Sequence, residues 1–311
     1  MHKAFAAAFV ALTACSSGAL QPSGFKDKPA GSENGFGDEN GSGGLGSNGD
    51  KDGTNSNSVG CSEEAKQVYV VSEQYDLYRF EPEKLTFTKI GRMSCPSGGA
   101  SPNSMAVDRS GTAWVNYSDG SIFKVSTRDA KCSATSFQAG QSGMIKFGMA
   151  FASNAAGSEE ETLFVSGIQD STFNDGGKGL AKIDLGSMKL TPVSDYDGML
   201  TKKGAELTGT GDGRLYGFFT TIPDATLARI EKGSAKTSET KALDGVFTGT
   251  AWAFSFWGGD FWFYTSSGQP SEVTRLHTKT GELEIVKPDV GGFRIVGAGV
   301  STCAPLTSGP R

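Results

Sequence analysis

From Gln67 onward the apolar positions fall in short runs, each broken after a few residues by Gly, Pro, Asp, Asn or Ser. Runs of this length, rich in β-branched and aromatic residues, predict strands; no stretch sustains the period of an amphipathic helix. One run recurs. Leu77-Tyr78-Arg79-Phe80-Glu81, Ile122-Phe123-Lys124-Val125-Ser126, Leu180-Ala181-Lys182-Ile183-Asp184, Leu227-Ala228-Arg229-Ile230-Glu231 and Val273-Thr274-Arg275-Leu276-His277 share an order: aliphatic, any, basic, apolar, then mostly polar. Their starts lie 45, 58, 47 and 46 positions apart, and each copy leads through a turn into another short strand, such as "KLTFTKI" or "ELEIV".

A second signature lies upstream of four copies. "SMAVDRSGTAWVNY", "ELTGTGDGRLYGFF" and "AWAFSFWGGDFWFYT" each read as strand, glycine-containing turn, strand with an aromatic; "GMAFASNAAGSEEETLFVSG" is a longer version. Each unit therefore predicts four antiparallel strands in about 45 residues, the period of a propeller blade. The first unit lacks its innermost strand, because only "VYVVS" (Val68–Ser72) precedes Leu77, while "GFRIVGAGVST" near the C-terminus supplies a lone strand. Pairing the two completes a blade and removes exposed sheet edges. The expected fold is all-β: a five-bladed β-propeller closed by pairing the C-terminal strand with the first blade.

The runs "DLYRF", "LTFTKI" and "RLHTKTGEL" resemble repeats of secreted bacterial propellers in the NHL, YVTN and gluconolactonase-like group, over residues 62–303. The resemblance implies architecture and is nearly silent on activity. Gluconolactonase-like members hold a metal with acidic and amide side chains at the central opening. Those positions find no match here, so neither metal nor cofactor is assigned.

Upstream of the repeats the pattern changes. "MHKAFAAAFVALTAC" places Lys3 before an apolar run of export-signal length, too short to span a bilayer. Leu12-Thr13-Ala14-Cys15 resembles the lipobox of bacterial lipoproteins, which implies cleavage before Cys15 and a lipid on its thiol. Ser16 follows where an Asp would resemble an inner-membrane retention signal, so an outer-membrane location at the cell envelope is expected. The segment to Gly60 is Gly-, Ser- and Asn-rich, with too little apolar surface to offset the entropy of ordering it, and reads as a disordered tether. Its match to a dinucleotide fingerprint, Gly41 to Gly46, lacks a strand before it and a helix after it and carries nothing. The expected organisation is a signal peptide at 1–14, lipidated Cys15 and linker to 60, propeller at 61–305 and tail at 306–311.

Composition adds exclusions. A formal net charge of −5 and the lack of any long Lys/Arg run argue against nucleic acid as a partner. Beyond Cys15 there are four cysteines, Cys61, Cys95, Cys132 and Cys303, which in an exported protein predict two disulfides with three possible connectivities. Ring closure favours Cys61–Cys303, since these flank the two strands that must pair, and Cys95–Cys132 then follows by elimination.

No G-x-S-x-G elbow, H-E-x-x-H helix or phosphate loop occurs, so no catalytic residue is assigned. Asp195-Tyr196-Asp197-Gly198 begins like a calcium loop with Glu206 at its twelfth position, but Met199 and Leu200 stand where an oxygen ligand and a turn glycine are needed. His277 fills the position taken elsewhere by Glu81, Ser126, Asp184 and Glu231, which makes it a strand residue rather than a base. The recurrent basic residue is expected to act between blades. Trp252, Trp257 and Trp262 read as inter-blade packing.

Propeller loops that gather on one face around the channel offer Tyr75, Asp119, Phe173, Asn174, Asp175, Asp195, Tyr196, Asp197, Lys202 and Asp224 as candidate binding residues. The reading is a monomeric, lipid-anchored, non-enzymatic binding or scaffold module for an extracytoplasmic protein, peptide or glycan. The alternative is a metal-assisted hydrolase or lyase using loop carboxylates such as Asp175 and Asp197.

Overall fold

The computed structural model describes residues 60–168, 176–268 and 270–307. Cys15, the tether, and Phe173, Asn174 and Asp175 lie outside the described residues. Blade 1 contains β1 (Val68–Ser72), β2 (Asp76–Glu81) and β3 (Thr86–Arg92). Blade 2 is β4 (Pro102–Val107), β5 (Thr112–Tyr117), β6 (Ile122–Ser126) and β7 (Cys132–Ala134). Blade 3 is β8 (Lys146–Ser153), β9 (Glu161–Ile168), β10 (Gly177–Asp184) and β11 (Lys189–Ser194). Blade 4 is β12 (Ala205–Gly209), β13 (Leu215–Phe219), β14 (Thr226–Ile230) and β15 (Thr237–Ala242). Blade 5 is β16 (Ala251–Trp257), β17 (Asp260–Ser266), β18 (Glu272–Leu276) and β19 (Leu283–Lys287). The last strand, β20 (Ile295–Gly299), returns to blade 1, whose order is β20-β1-β2-β3.

All five sheets have four antiparallel strands. The innermost strands β4, β8, β12, β16 and β20 each touch the next, and β20 touches β4, so the ring is closed. Closure uses the expected pair: Tyr69 faces Gly299, Val70 faces Ala298 and Val71 faces Gly297. The two disulfides are Cys61–Cys303 and Cys95–Cys132, with Cα atoms 5.8 and 5.1 Å apart. The first ties the segment ahead of β1 to the residues after β20; the second joins the outer edges of blades 1 and 2.

Strand periodicity explains the core. Side chains alternate between the two faces of a sheet, and each blade is covered on both faces by its neighbours. Val68 and Val70 of β1 therefore pack with Trp262, Tyr264 and Val273 of blade 5. Tyr69 and Val71 of the same strand pack with Met105, Val107 and Val115 of blade 2. A strand buried on both faces reads as an unbroken apolar run, as "VYVVS" does. Equivalent clusters fill the other three blade junctions.

Near the axis the inner strands approach too closely for side chains. A Cβ on Gly148 of β8 would fall on the carbonyl oxygen of Ala205 in β12, and one on Gly209 would fall on that of Phe151. Glycine is required there by contact with neighbouring backbone. The basic repeat position corrects the inter-blade expectation. Arg79 bonds Glu81 on its own strand at 2.9 Å, Arg229 bonds Glu239 at 2.9 Å, and Lys124 lies 4.4 Å over the Trp114 ring. Arg275 bonds Asp260 and lies 5.0 Å over the Trp262 ring. Each partner belongs to the same blade, because a side chain on the outward part of the third strand finds its own sheet before it reaches the next.

Candidate functional site

Strand direction defines two faces. In blade 4, Ala205, Phe219, Thr226 and Ala242 share one end of the sheet, so the starts of the innermost strands and the second-to-third-strand turns lie together. We call this the upper face.

The candidate carboxylates hold loops together. Asp119 Oδ1 accepts from the backbone N–H of Ser121 at 3.0 Å and from its hydroxyl at 2.6 Å. Asp195 Oδ1 accepts from the N–H groups of Tyr196 and Lys202, at 2.8 and 3.2 Å, closing the loop between β11 and β12. Asp224 Oδ1 accepts from the Gly245 N–H at 3.0 Å. Asp197 Oδ1 accepts from the Thr237 N–H and hydroxyl at 2.8 and 2.7 Å, and these bonds pull its carboxyl below the ordinary range. Thr237 opens the outermost strand of blade 4, at the end that pairs with Ile230 and away from Ala242, which places Asp197 at the rim rather than on the upper face beside the axis.

The remaining candidates divide. Tyr196 is buried, edge-on to Phe219 at 4.8 Å, and burial pushes its phenol up. Lys202 is exposed at φ 57°, and its carbonyl accepts from the Gly177 N–H at 2.8 Å. Tyr75, at φ 67°, is half-buried, with its ring 6.5 Å from that of Tyr117 and the Arg92 guanidinium 5.8 Å over it. These side chains sit in several separate loops, and two of them, Tyr75 and Asp119, both lie near Tyr117. Among the described residues no three His, Cys, Asp or Glu side chains gather closely enough to hold a metal ion.

Other residues define the axial mouth. Arg294, directly before β20, donates to Glu73 Oε2 at 2.8 Å and to the Thr250 hydroxyl at 2.7 Å, linking blades 1 and 5. Asn103 donates to Asn116 Oδ1 at 3.1 Å and to the Phe147 carbonyl at 3.3 Å, linking blades 2 and 3. Deeper, Ser104 bonds Glu206.

Exposed apolar side chains also rise from this face. Ile222 is 74% exposed and Phe247 57%. They flank loops tied by Asp224 to Gly245 and by the Ala225 N–H donating to the Val246 carbonyl at 3.0 Å. Met199, in the loop between β11 and β12, is likewise exposed. The signal was present in "TIPD" and "GVFTG", turn segments that carry a large apolar residue where turn chemistry needs none.

No family model matches the sequence, and no curated protein matches it. Solved structures with similar shape include the Dos1 propeller, at 12% identity over 76% of this chain and 56% of that one, TM-score 0.38. A chain of a nidogen/laminin complex is similar at 8% identity over 75% of this chain and 97% of its own, TM-score 0.43. The extracellular domain of a one-component system from B. thetaiotaomicron is similar at 15% identity over 74% of this chain and 29% of its own, TM-score 0.35. This chain thus spans less than two thirds of the first and third of these.

Proposed function

We propose that the protein is an envelope-anchored binding module, held through lipid on Cys15, whose upper face docks an extracytoplasmic protein. The observation that carries this reading is the exposure of Ile222 and Phe247 on loops whose backbones are fastened to each other. Exposed large apolar groups on a rigid platform cost solvation in the free protein and are regained on docking. The loop carboxylates described above are bonded to backbone N–H groups, which supports a recognition role over acid–base chemistry.

The test compares wild type with an Ile222→Ser/Phe247→Ser variant of equal melting temperature, each used to capture partners from envelope extract after cross-linking. A protein captured by wild type and absent with the variant supports the reading. Identical capture by both, or none by either, rejects it. Cys15→Ala should release the protein from membranes into the soluble fraction.

A further inference from the structure

A groove on the opposite face from Ile222 and Phe247 has a different chemistry. Val68 of β1 faces Phe80 of β2, so Gln67 and Glu81 lie at the end of blade 1 remote from the Tyr75 turn. Together with Arg79, Pro82, Glu83, Lys84 and Trp257 they line a cavity of about 420 Å³. That size is within the range of small-ligand sites. We infer that this groove binds a neutral saccharide, one indole face serving as the platform.

Two observations lead there. First, the walls are fixed in advance. The Trp257 indole N–H donates to the Lys66 carbonyl at 2.9 Å, and its ring packs on the blade 5–blade 1 core. Glu81 holds Arg79 at 2.9 Å and Lys84 at 2.7 Å. Preorganised groups lose little entropy when a weakly interacting ligand arrives.

Second, the charges cancel: Arg79 and Lys84 stand against Glu81 and Glu83. Such a wall gives no preference to a phosphate, a carboxylate or an ammonium group. It does hold both donors and acceptors, which suits hydroxyls that act as both. A pyranose presents an apolar C–H face for the indole and hydroxyls around its edge. An apolar peptide side chain would find only Pro82 and Trp257 as apolar walls.

Saturation-transfer NMR on the intact protein tests this, with cellobiose, maltose and N,N′-diacetylchitobiose as probes at about 10 mM each. At least one should show transfer, and its affinity should fall by about tenfold in Arg79→Gln and in Gln67→Ala, both melting as wild type does. The Ile222→Ser/Phe247→Ser variant should bind it unchanged, which separates this site from the upper face. The inference is overturned if none of the three binds. It is equally overturned if both groove variants bind like wild type, or if glucose 6-phosphate competes better than glucose.

Discussion

Ser104 and Glu206 stand 102 residues apart, in β4 and β12, yet the Ser104 hydroxyl donates to Glu206 Oε2 at 2.6 Å. Their blades are not neighbours; the bond joins blades 2 and 4 near the centre of the ring, where Gly148 of β8 lies close to the Glu206 backbone. Glu206 is 3% exposed, and burial holds its carboxyl well above the usual range against the opposing pull of the Ser104 bond. It remains a neutral acid where an exposed glutamate has ionised.

The consequence for stability has a definite sign. The folded state binds a proton that the unfolded state has already released, so this contribution is complete below the ordinary value of 4.5 and is lost as pH rises toward the raised one. Glu161 acts in the same direction, its carboxyl raised by burial despite hydrogen bonds from Arg109 N–H and Thr302, both at 2.8 Å. Glu206→Gln keeps the shape and cannot ionise. Urea melts from acid to alkaline pH should show a shallower decline for the variant than for wild type, with a residual slope from Glu161. Equal slopes would remove Glu206 from this role.

Ring closure should depend on Cys61–Cys303 more than on Cys95–Cys132. The first closes a separation of 242 residues and the second 37. Loop entropy rises only logarithmically, giving upper estimates of about 5.5 and about 4 kcal/mol. Cys61→Ser/Cys303→Ser should thus lower the denaturation midpoint further than Cys95→Ser/Cys132→Ser. The reverse order would show that blade 1 closes without help from its disulfide.

Close approach of β8 and β12 makes Gly148 irreplaceable. The alanine methyl would meet the Ala205 carbonyl and sit 2.6 Å from the Glu206 Cα, which forces two backbones apart. Gly148→Ala should cost about 3 kcal/mol or more. Gly186→Ala, whose added Cβ lies 3.6 Å from a single Asp184 oxygen, should stay within about 0.5 kcal/mol. Calorimetry on the pair gives the contrast, and equal melting would contradict the packing described.

His277 lies 3.3 Å from Glu284 on the blade 5 surface, while nearby Asp260 accepts from Arg275 Nε at 2.9 Å and the Thr278 N–H at 3.0 Å. His277→Asn should change stability by under about 0.5 kcal/mol. Asp260→Ala, which strands the Arg275 guanidinium over Trp262, should cost about 2 kcal/mol. A larger loss at His277 than at Asp260 would reverse this ranking.

Local pattern carried the architecture because its causes are local. Strand alternation, glycine turns and a repeat of near-constant period specify a blade wherever it stands in the chain. The orphan strands "VYVVS" and "GFRIVGAGVST" specify closure because each lacks the partner that the other supplies. The disulfides followed, since Cys61 and Cys303 flank the strands that close the ring. The Trp cluster was legible in the same way: Trp262 is core, Trp252 packs at the blade 4–blade 5 junction, and Trp257 packs at the next one while lining the groove.

Contacts between blades were set by the tertiary structure alone. Sequence placed Asp197 and Tyr196 in one loop, but Asp197 bonds Thr237 of blade 4 while Tyr196 turns inward onto Phe219. Nothing near Ser104 announces Glu206, and nothing near Arg294 announces Glu73. Such partners are chosen by how stacked sheets stagger and approach at the axis. A period-two pattern fixes which face a side chain takes, and leaves open what it meets there.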